Sequence, residues 1–328
     1  MTPLLKDRRL IVAIIVFLVF LCIPAVVHDT FALRMCTEAF MWIGLAVTLD
    51  VMAGYTGYLN FGHQAFFGIG AYTTALLMMK AHWPFPLAVA AGGVVASVAA
   101  LVIGIPTLRL RGSYFAIAVW ALARAIQQFA LIATFTGGPD GTRLTAFLDP
   151  QFFFYVMLGI VGASFFCLWF LLERAPFGLK LKAIREDQES AKALGLNPTR
   201  LKIQAFIISA IPTALIGGVF AYWVTFIDPG STLSDLISDQ AIVMVVFGGM
   251  GTLIGPVIGA ILIFSFKTLF WAYLSQYEVL YIIILGAVIA GSVVFMPDGV
   301  LGKFIRKAVR RSPKPESLPP PATAGKEA

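Results

Sequence analysis

Charge is scarce in this chain. Asp, Glu, Lys and Arg make up 12% of its 328 residues, where a soluble domain carries about 25%. That supply could not cover a surface facing water, so a soluble globular fold is excluded. Cysteine is scarce too. Cys22, Cys36 and Cys167 lie in or beside apolar segments, without metal spacing or a disulfide framework, and read as small buried apolar side chains. Motifs for nucleotide and covalent chemistry are missing. No G-x-x-x-x-G-K-[ST] occurs, because neither Gly302–Lys303 nor Gly325–Lys326 is followed by Ser or Thr. There is no G-x-S-x-G and no metal-ligand cluster. The expectation is a chain without catalytic residues, metal or cofactor of its own. If ATP drives it, another chain hydrolyses the ATP.

Apolar residues are abundant. They account for 59% of the chain, and the mean hydropathy is +0.88. Apolar runs of 18 residues or more recur along the length, the signature of helices spanning a bilayer. The fold expected is all-α and polytopic. Candidate spans run over 10–27, 34–53, 63–80, 85–105, 113–135, 152–172, 203–224, 240–250, 254–275 and 279–297. The first follows Lys6, Arg8 and Arg9. Its eighteen helical residues reach about 27 Å at about 1.5 Å each, and no A-x-A-like site follows, so it reads as an uncleaved span.

The formal net charge of +7 is placed for topology, and no nucleic-acid partner is expected. Basic residues collect at the N-terminus, at Arg109 and Arg111, through the loop 173–202, and at 303–311. The segment 225–239 carries Asp228, Asp235 and Asp239 with no basic residue. Basic clusters accumulate in cytoplasmic loops. Ten crossings with both termini cytoplasmic put every basic cluster on one side and the acidic segment on the other. Residues 240–297 must then cross an odd number of times, so "VVFGGMGT" (245–252) has to be a break or a tight turn. Eight crossings remain possible if some segments only dip into the membrane. The organisation expected is a cytoplasmic N-terminus (1–9), a transmembrane domain (10–302) with the cytoplasmic loop 173–202, and a basic, then Pro-rich, disordered tail (303–328).

Glycine marks two places. In lipid, helices associate through close packing and polar contacts, and Gly251, Gly255 and Gly259 recur every fourth residue on one helix face. The stretch "GYLNFGHQAFFGIGAY" (57–72) is different. Its glycines share no face, and Asn60, His63 and Gln64 interrupt it. Irregular backbone at membrane depth is tolerated where it is buried in protein or lines a cavity, and broken helices beside bound solute recur in transporters. Gly57, Asn60, Gly62 and His63 are therefore expected in a broken, closely packed segment beside a pathway. A tight helix pair with its polar groups internally satisfied is the alternative.

The segment "FGLKLKAIREDQESAKALGLNP" (177–198) places Leu181, Ile184, Ala191 and Leu194 on a narrow apolar stripe of one short amphipathic helix. Gly195 suits a helix stop, and Asn197–Pro198 an N-cap and first-turn proline. The stripe has no aromatic anchor for lipid, which favours docking into a protein groove over lying on headgroups.

"GYTGYLNFGHQAFFGIGAYTTALL" (54–77), "LRLRGSYFAIAVWALARAI…TGGPDG" (108–141), "KAIREDQESAKALGLNPTRLKIQAFIISAIPTALIGG" (182–218) and "VVFGGMGTLIGPVIGA" (245–260) together resemble the branched-chain amino-acid type permeases of bacterial and archaeal ABC importers. The resemblance covers most of residues 35–300. It implies a multi-pass subunit of the bacterial inner membrane and three kinds of partner. These are a second homologous permease, two cytoplasmic ATPase subunits, and a periplasmic or lipoprotein solute-binding protein. It implies that the loop matching 178–195 couples to the ATPase, with Arg185, Glu186, Asp187, Glu189 and Gly195 in that role. Family members carry leucine-like amino acids, urea and amides, or small carboxylates including aromatic acids. A stand-alone secondary transporter is the alternative class, and a channel the third.

The resemblance has departures. Tyr58 and Asn60 stand where many relatives have Gln and Ser, and "YFAIAVWALAR" puts Arg124 in mid-span. An arginine at the bilayer centre costs about 2.5–3.5 kcal/mol on insertion scales, so Arg124 must face a partner or a wet cavity. Asp50 is one possible partner. A structural ion pair, a solute contact and snorkelling are the three readings.

Overall fold

The computed structural model describes residues 17–22, 24, 29–147, 149–274 and 286. Asp29 starts the first long helix, α1 (Thr30–Thr56), its carboxylate accepting from the Phe31 and Ala32 amides at 3.2 and 3.3 Å. Such caps satisfy amides that a helix start leaves unpaired. Every residue over 41–56 is buried, so α1 is the central column of the bundle. Around it run α2 (His63–Lys80), α3 (Phe85–Thr107), α4 (Ser113–Ile132) and α5 (Pro150–Trp169), the last continued by a π turn to Arg174. Two short helices follow, α6 (Pro176–Glu186) and α7 (Gln188–Ala193). The chain then re-enters the bundle as α8 (Pro198–Val224), makes a single turn, α9 (Pro229–Thr232), and continues as α10 (Asp235–Gly248) and α11 (Ile254–Leu274).

Two two-residue strands, β1 (Thr142–Arg143) and β2 (Phe226–Ile227), pair antiparallel and tie the α4–α5 and α8–α9 connections together. Leu144 extends this tie, its amide donating to the Thr225 carbonyl at 2.7 Å. At the other end, Arg111 meets Glu189 at 2.5 Å, which joins the two basic connections described. These two basic connections share one end of the bundle, and the basic clusters at 6–9 and 303–311 lie outside the described residues.

Among the described residues, six helical segments are long and apolar enough to cross a membrane: Thr30–Thr56, Phe85–Thr107, Ser113–Ile132, Pro150–Arg174, Pro198–Val224 and Pro229–Gly248. Helix α2 carries His63, Gln64 and Lys80 and falls outside that set. It is nonetheless packed mainly on α8 and α3, with most of its residues buried. The α2–α8 approach is backbone to backbone, since a Cβ on Gly70 would strike Ala214 and one on Gly217 would strike the Phe67 carbonyl. Most of the span expected over 10–27, nearly all of 279–297, the N-terminus 1–9 and the tail 303–328 lie outside the described residues.

The break expected over 245–252 is there. Helix α10 stops at Gly248, Gly249 and Gly251 adopt φ of 112° and 83°, and α11 begins at Ile254. One expectation is corrected. Gly251 belongs to this turn and not to a helical face with Gly255 and Gly259. Those two lie on α11 against α10, where a Cβ on Gly259 would meet the Met244 carbonyl and one on Gly248 would meet the Gly255 carbonyl.

Candidate functional site

The chain breaks inside the bundle from both ends. From the basic end, α1 stops at Thr56, and Gly57 turns the chain with φ 77° while its N–H reaches the Met52 carbonyl. Residues 58–61 then run inward without helix. Asn60 is fully buried; its Oδ1 accepts from the Gly62 amide at 3.0 Å, and its Nδ2 has no partner among the described residues. At Gly62 a Cβ would lie 2.6 Å from the Val119 carbonyl of α4, so only glycine permits this passage. His63 opens α2, fully buried, with its Nε2 3.1 Å from both the Thr48 and the Thr213 hydroxyls. Ser209 joins this group by donating to the Thr48 carbonyl at 2.7 Å. Thr48 lies eight residues before the end of α1, about 12 Å from it at about 1.5 Å per residue. Asn60 and His63 thus lie within protein, as the sequence suggested.

From the opposite end, the segment after β2 folds back inward. Asp228 caps α9, accepting from the Ser231 amide at 3.0 Å, and α10 starts at Asp235, at the depth of Gln64. There a polar network closes. Arg124 of α4 meets Asp235 at 2.5 Å and donates to Gln127 Oε1 at 2.7 Å. Gln127 donates to the Pro229 carbonyl at 3.0 Å, and Gln64 donates to Asp235 at 2.9 Å. The Gln64 amide donates to the Ser238 hydroxyl at 2.9 Å, and that hydroxyl bonds the Gln64 side chain in turn. The partner of Arg124 is Asp235. Asp50 is engaged elsewhere, accepting the Gly251 amide at 3.0 Å, and the suggested Arg124–Asp50 pair is corrected accordingly. Gln127 and Ser238 were not singled out from the sequence, Gln64 entered only as an interruption of the 57–72 stretch, and Asp235 only as part of the acidic segment. One signal was available: Gln127 lies one helical turn from Arg124, on the same face.

Beside this network lies a cavity of about 660 Å³, whose walls include Leu59 and Phe61 of the broken segment, Ala116, Ile117 and Trp120 of α4, and Asp239 of α10. The Arg124 guanidinium sits 5.9 Å from the Trp120 ring, one helical turn along α4.

The segment between α5 and α8 is fastened under the first break. It is two helices and not one. Asp187 (φ −153°) separates α6 from α7 and caps the second, its carboxylate accepting from the Ser190 amide at 2.6 Å. That hydrogen bond holds the Asp187 carboxyl below its ordinary pKa. Leu181, Ile184 and Ala191 are buried as the stripe predicted, but Leu194 is 81% exposed because the split turns it outward. Gly195 (φ 83°) ends α7, and Asn197 caps α8 at the Arg200 amide, 3.1 Å, both as read from the sequence. Glu186 and Glu189 are exposed, and Arg111 holds the Glu189 carboxyl below the usual range. Arg185 reaches inward, bonding the Gly54 carbonyl beside Gly251. Lys202, also not singled out, is buried. It donates to the Tyr58 hydroxyl (3.0 Å), the Leu108 carbonyl (3.2 Å) and Gln188 Oε1 (3.3 Å). One ammonium thus joins the broken segment, the end of α3 and α7.

A buried polar break roofed by a re-entrant turn and clasped by a charged helical pair fits passage of a solute. Comparison with known proteins agrees. The family model described as "Branched-chain amino acid transport system / permease component" matches residues 31–293. The chain belongs to this permease family. The high-affinity branched-chain amino acid transport system permease protein LivM of Salmonella typhimurium strain LT2 is 32% identical to the permease over 298 residues, covering 81% of this chain and 68% of that protein. LivM of Escherichia coli K12 is 31% identical over 322 residues, covering 87% and 74%. LivH of Escherichia coli K12, the permease protein of the same kind of system, is 26% identical over 283 residues, covering 79% and 90%. No solved structure matches the permease.

Proposed function

We propose that this permease is one membrane subunit of an ATP-driven importer of the bacterial inner membrane, carrying branched-chain or related amino acids handed over by a solute-binding protein. The observation that carries the reading is the open face of α4. Tyr114, Ile117, Trp120, Phe129 and Ile132 are exposed there, and Arg124 lies among them with its side chain 45% exposed. Apolar side chains alone would suit lipid, but an ionised arginine at this depth does not face it. A second permease subunit covers this face, and the solute passes between the two chains, past the broken segment and the cavity. The α6–α7 pair is the dock for a cytoplasmic ATPase. Leu179 and Leu194 stand out from it, 73% and 81% exposed. The exposed charges of the pair are of both signs, Lys180 and Lys192 with Glu186 and Glu189, an apolar and mixed-charge surface suited to a groove with complementary charges on its rim.

The test is co-expression with ATPase and binding-protein subunits, then reconstitution into vesicles. The permease should carry an ATPase through purification, and L-leucine uptake should require ATP and binding protein. Uptake by the permease alone, driven by an ion gradient and indifferent to ATP, would reject the reading.

A further inference from the structure

We infer that the Arg124–Asp235 pair is a latch opened by a zwitterionic solute, which replaces both partners at once. The inference rests on the importer reading above. The pair bridges α4 and α10 at the depth where the two broken segments meet, with Gln64 and Gln127 as its only further side-chain hydrogen-bond partners among the described residues. The walls of the cavity lie one helical turn away on both helices, at Trp120 on α4 and at Asp239 on α10. A solute passing between the two chains along α4 meets the exposed side of Arg124 first, and to go on to the broken segments it separates α4 from α10 or passes a closed ion pair.

Separation without replacement strands Asp235, whose side chain is 18% exposed, and leaves Arg124 uncompensated on the face that the second subunit covers, which is costlier than the pair itself. A zwitterion removes that obstacle. Its carboxylate takes the position of Asp235 at Arg124, and its ammonium takes the position of Arg124 at Asp235, with Asp239 a second carboxylate within one turn. An apolar side chain on the same solute lies against Leu59, Phe61, Ile117 and Trp120. A monocarboxylate satisfies Arg124 and strands Asp235. A monoamine does the reverse, and urea supplies neither charge. The latch thus selects for two opposite charges on neighbouring atoms, by the cost of opening for anything else.

The experiment is equilibrium binding of radiolabelled L-leucine to the full-length permease with its partner subunits in lipid nanodiscs, binding protein omitted. Competitors are 4-methylpentanoate, 3-methylbutylamine and urea. Leucine should compete at least about tenfold better than each single-charge analogue, and urea should not compete. In the double variant R124Q/D235N, which keeps a hydrogen-bonded but uncharged pair, this margin should shrink to about threefold or less. Equal competition by 4-methylpentanoate in the native protein, no leucine binding at all, or an unchanged margin in the double variant would each overturn the latch. The native ranking decides even if the double variant fails to assemble. It can also be read whether or not an ATPase co-purifies, so failure of the importer reading and failure of the latch are separate results.

Discussion

Lys202 is the residue whose removal should do most with least visible damage. Its ammonium satisfies three acceptors from three parts of the chain, and each loses a charge-assisted hydrogen bond in Lys202→Met. Bonds to charged groups contribute about 1.5–3 kcal/mol each before the retained apolar stem offsets part of the loss. The expected outcome is a folded permease in which ATP hydrolysis no longer follows solute, measured as the ratio of stimulated to basal hydrolysis. A variant with native coupling would show that Lys202 only packs. Glu189 gives a prediction with a sign. Its carboxyl is held below the ordinary value of 4.5 by Arg111 first and Lys192 second. A depressed carboxyl contributes stability above its unfolded pKa and loses it as pH falls through the folded one. The clasp between α7 and the α3–α4 connection should therefore persist across about pH 5.5–8 and loosen only below the usual carboxylate range. Hydrogen exchange of the α7 amides, compared between the native protein and Arg111→Gln, checks this. A loosening near neutral pH would have to come from another group.

At the scale of elements, the α10–α11 contact is the clearest case of geometry that tolerates no side chain. Gly259→Leu drives atoms into the Met244 carbonyl, and overpacking of this kind costs about 1–3 kcal/mol or more. We expect loss of the folded permease by size-exclusion profile and thermal stability. Gly159→Leu on α5, where a Cβ meets open space, should be tolerated. The π turn, the split at Asp187 and the α9 turn were not read from the sequence, although Asp187 and Asp228 cap the last two through local bonds to the Ser190 and Ser231 amides. The stops at Gly195 and Gly249 and the cap at Asn197 were readable, because glycine's access to positive φ and the Asn-Pro pairing act locally. The outward turn of Leu194 and the inward reach of Arg185 show the limit. An amphipathic pattern places residues on a helix, but the break at Asp187 changes which way that helix faces.

At the scale of the whole molecule, two discontinuities entering from opposite ends meet around Gln64, Asp235 and Ser238. The sequence announced the first through Asn60 and His63 at membrane depth. It announced the second only as an acidic connection, because an ion pair spanning 111 residues leaves no periodic trace. In the arrangement described here Asn60 and His63 are fully buried. Cysteines at these two positions should resist small water-soluble thiol reagents in the resting importer and react during ATP turnover. Labelling that is the same in every nucleotide state would make the break a static packing device.

The bond between Asp50 and the Gly251 amide joins residues 201 apart in sequence. Ribosomes add about 5–20 residues each second, so α1 waits on the order of 10–40 s before the partner of its buried carboxylate exists. The Arg185–Gly54 clasp closes in the same interval, after 131 further residues. During that time α1 sits beside lipid with an unpaired acid, and the nascent permease has to be sheltered by insertion machinery or neighbouring helices. Chains truncated before Gly251 should accordingly be recognised and degraded while those ending past Leu274 persist, a difference that pulse-chase labelling can time.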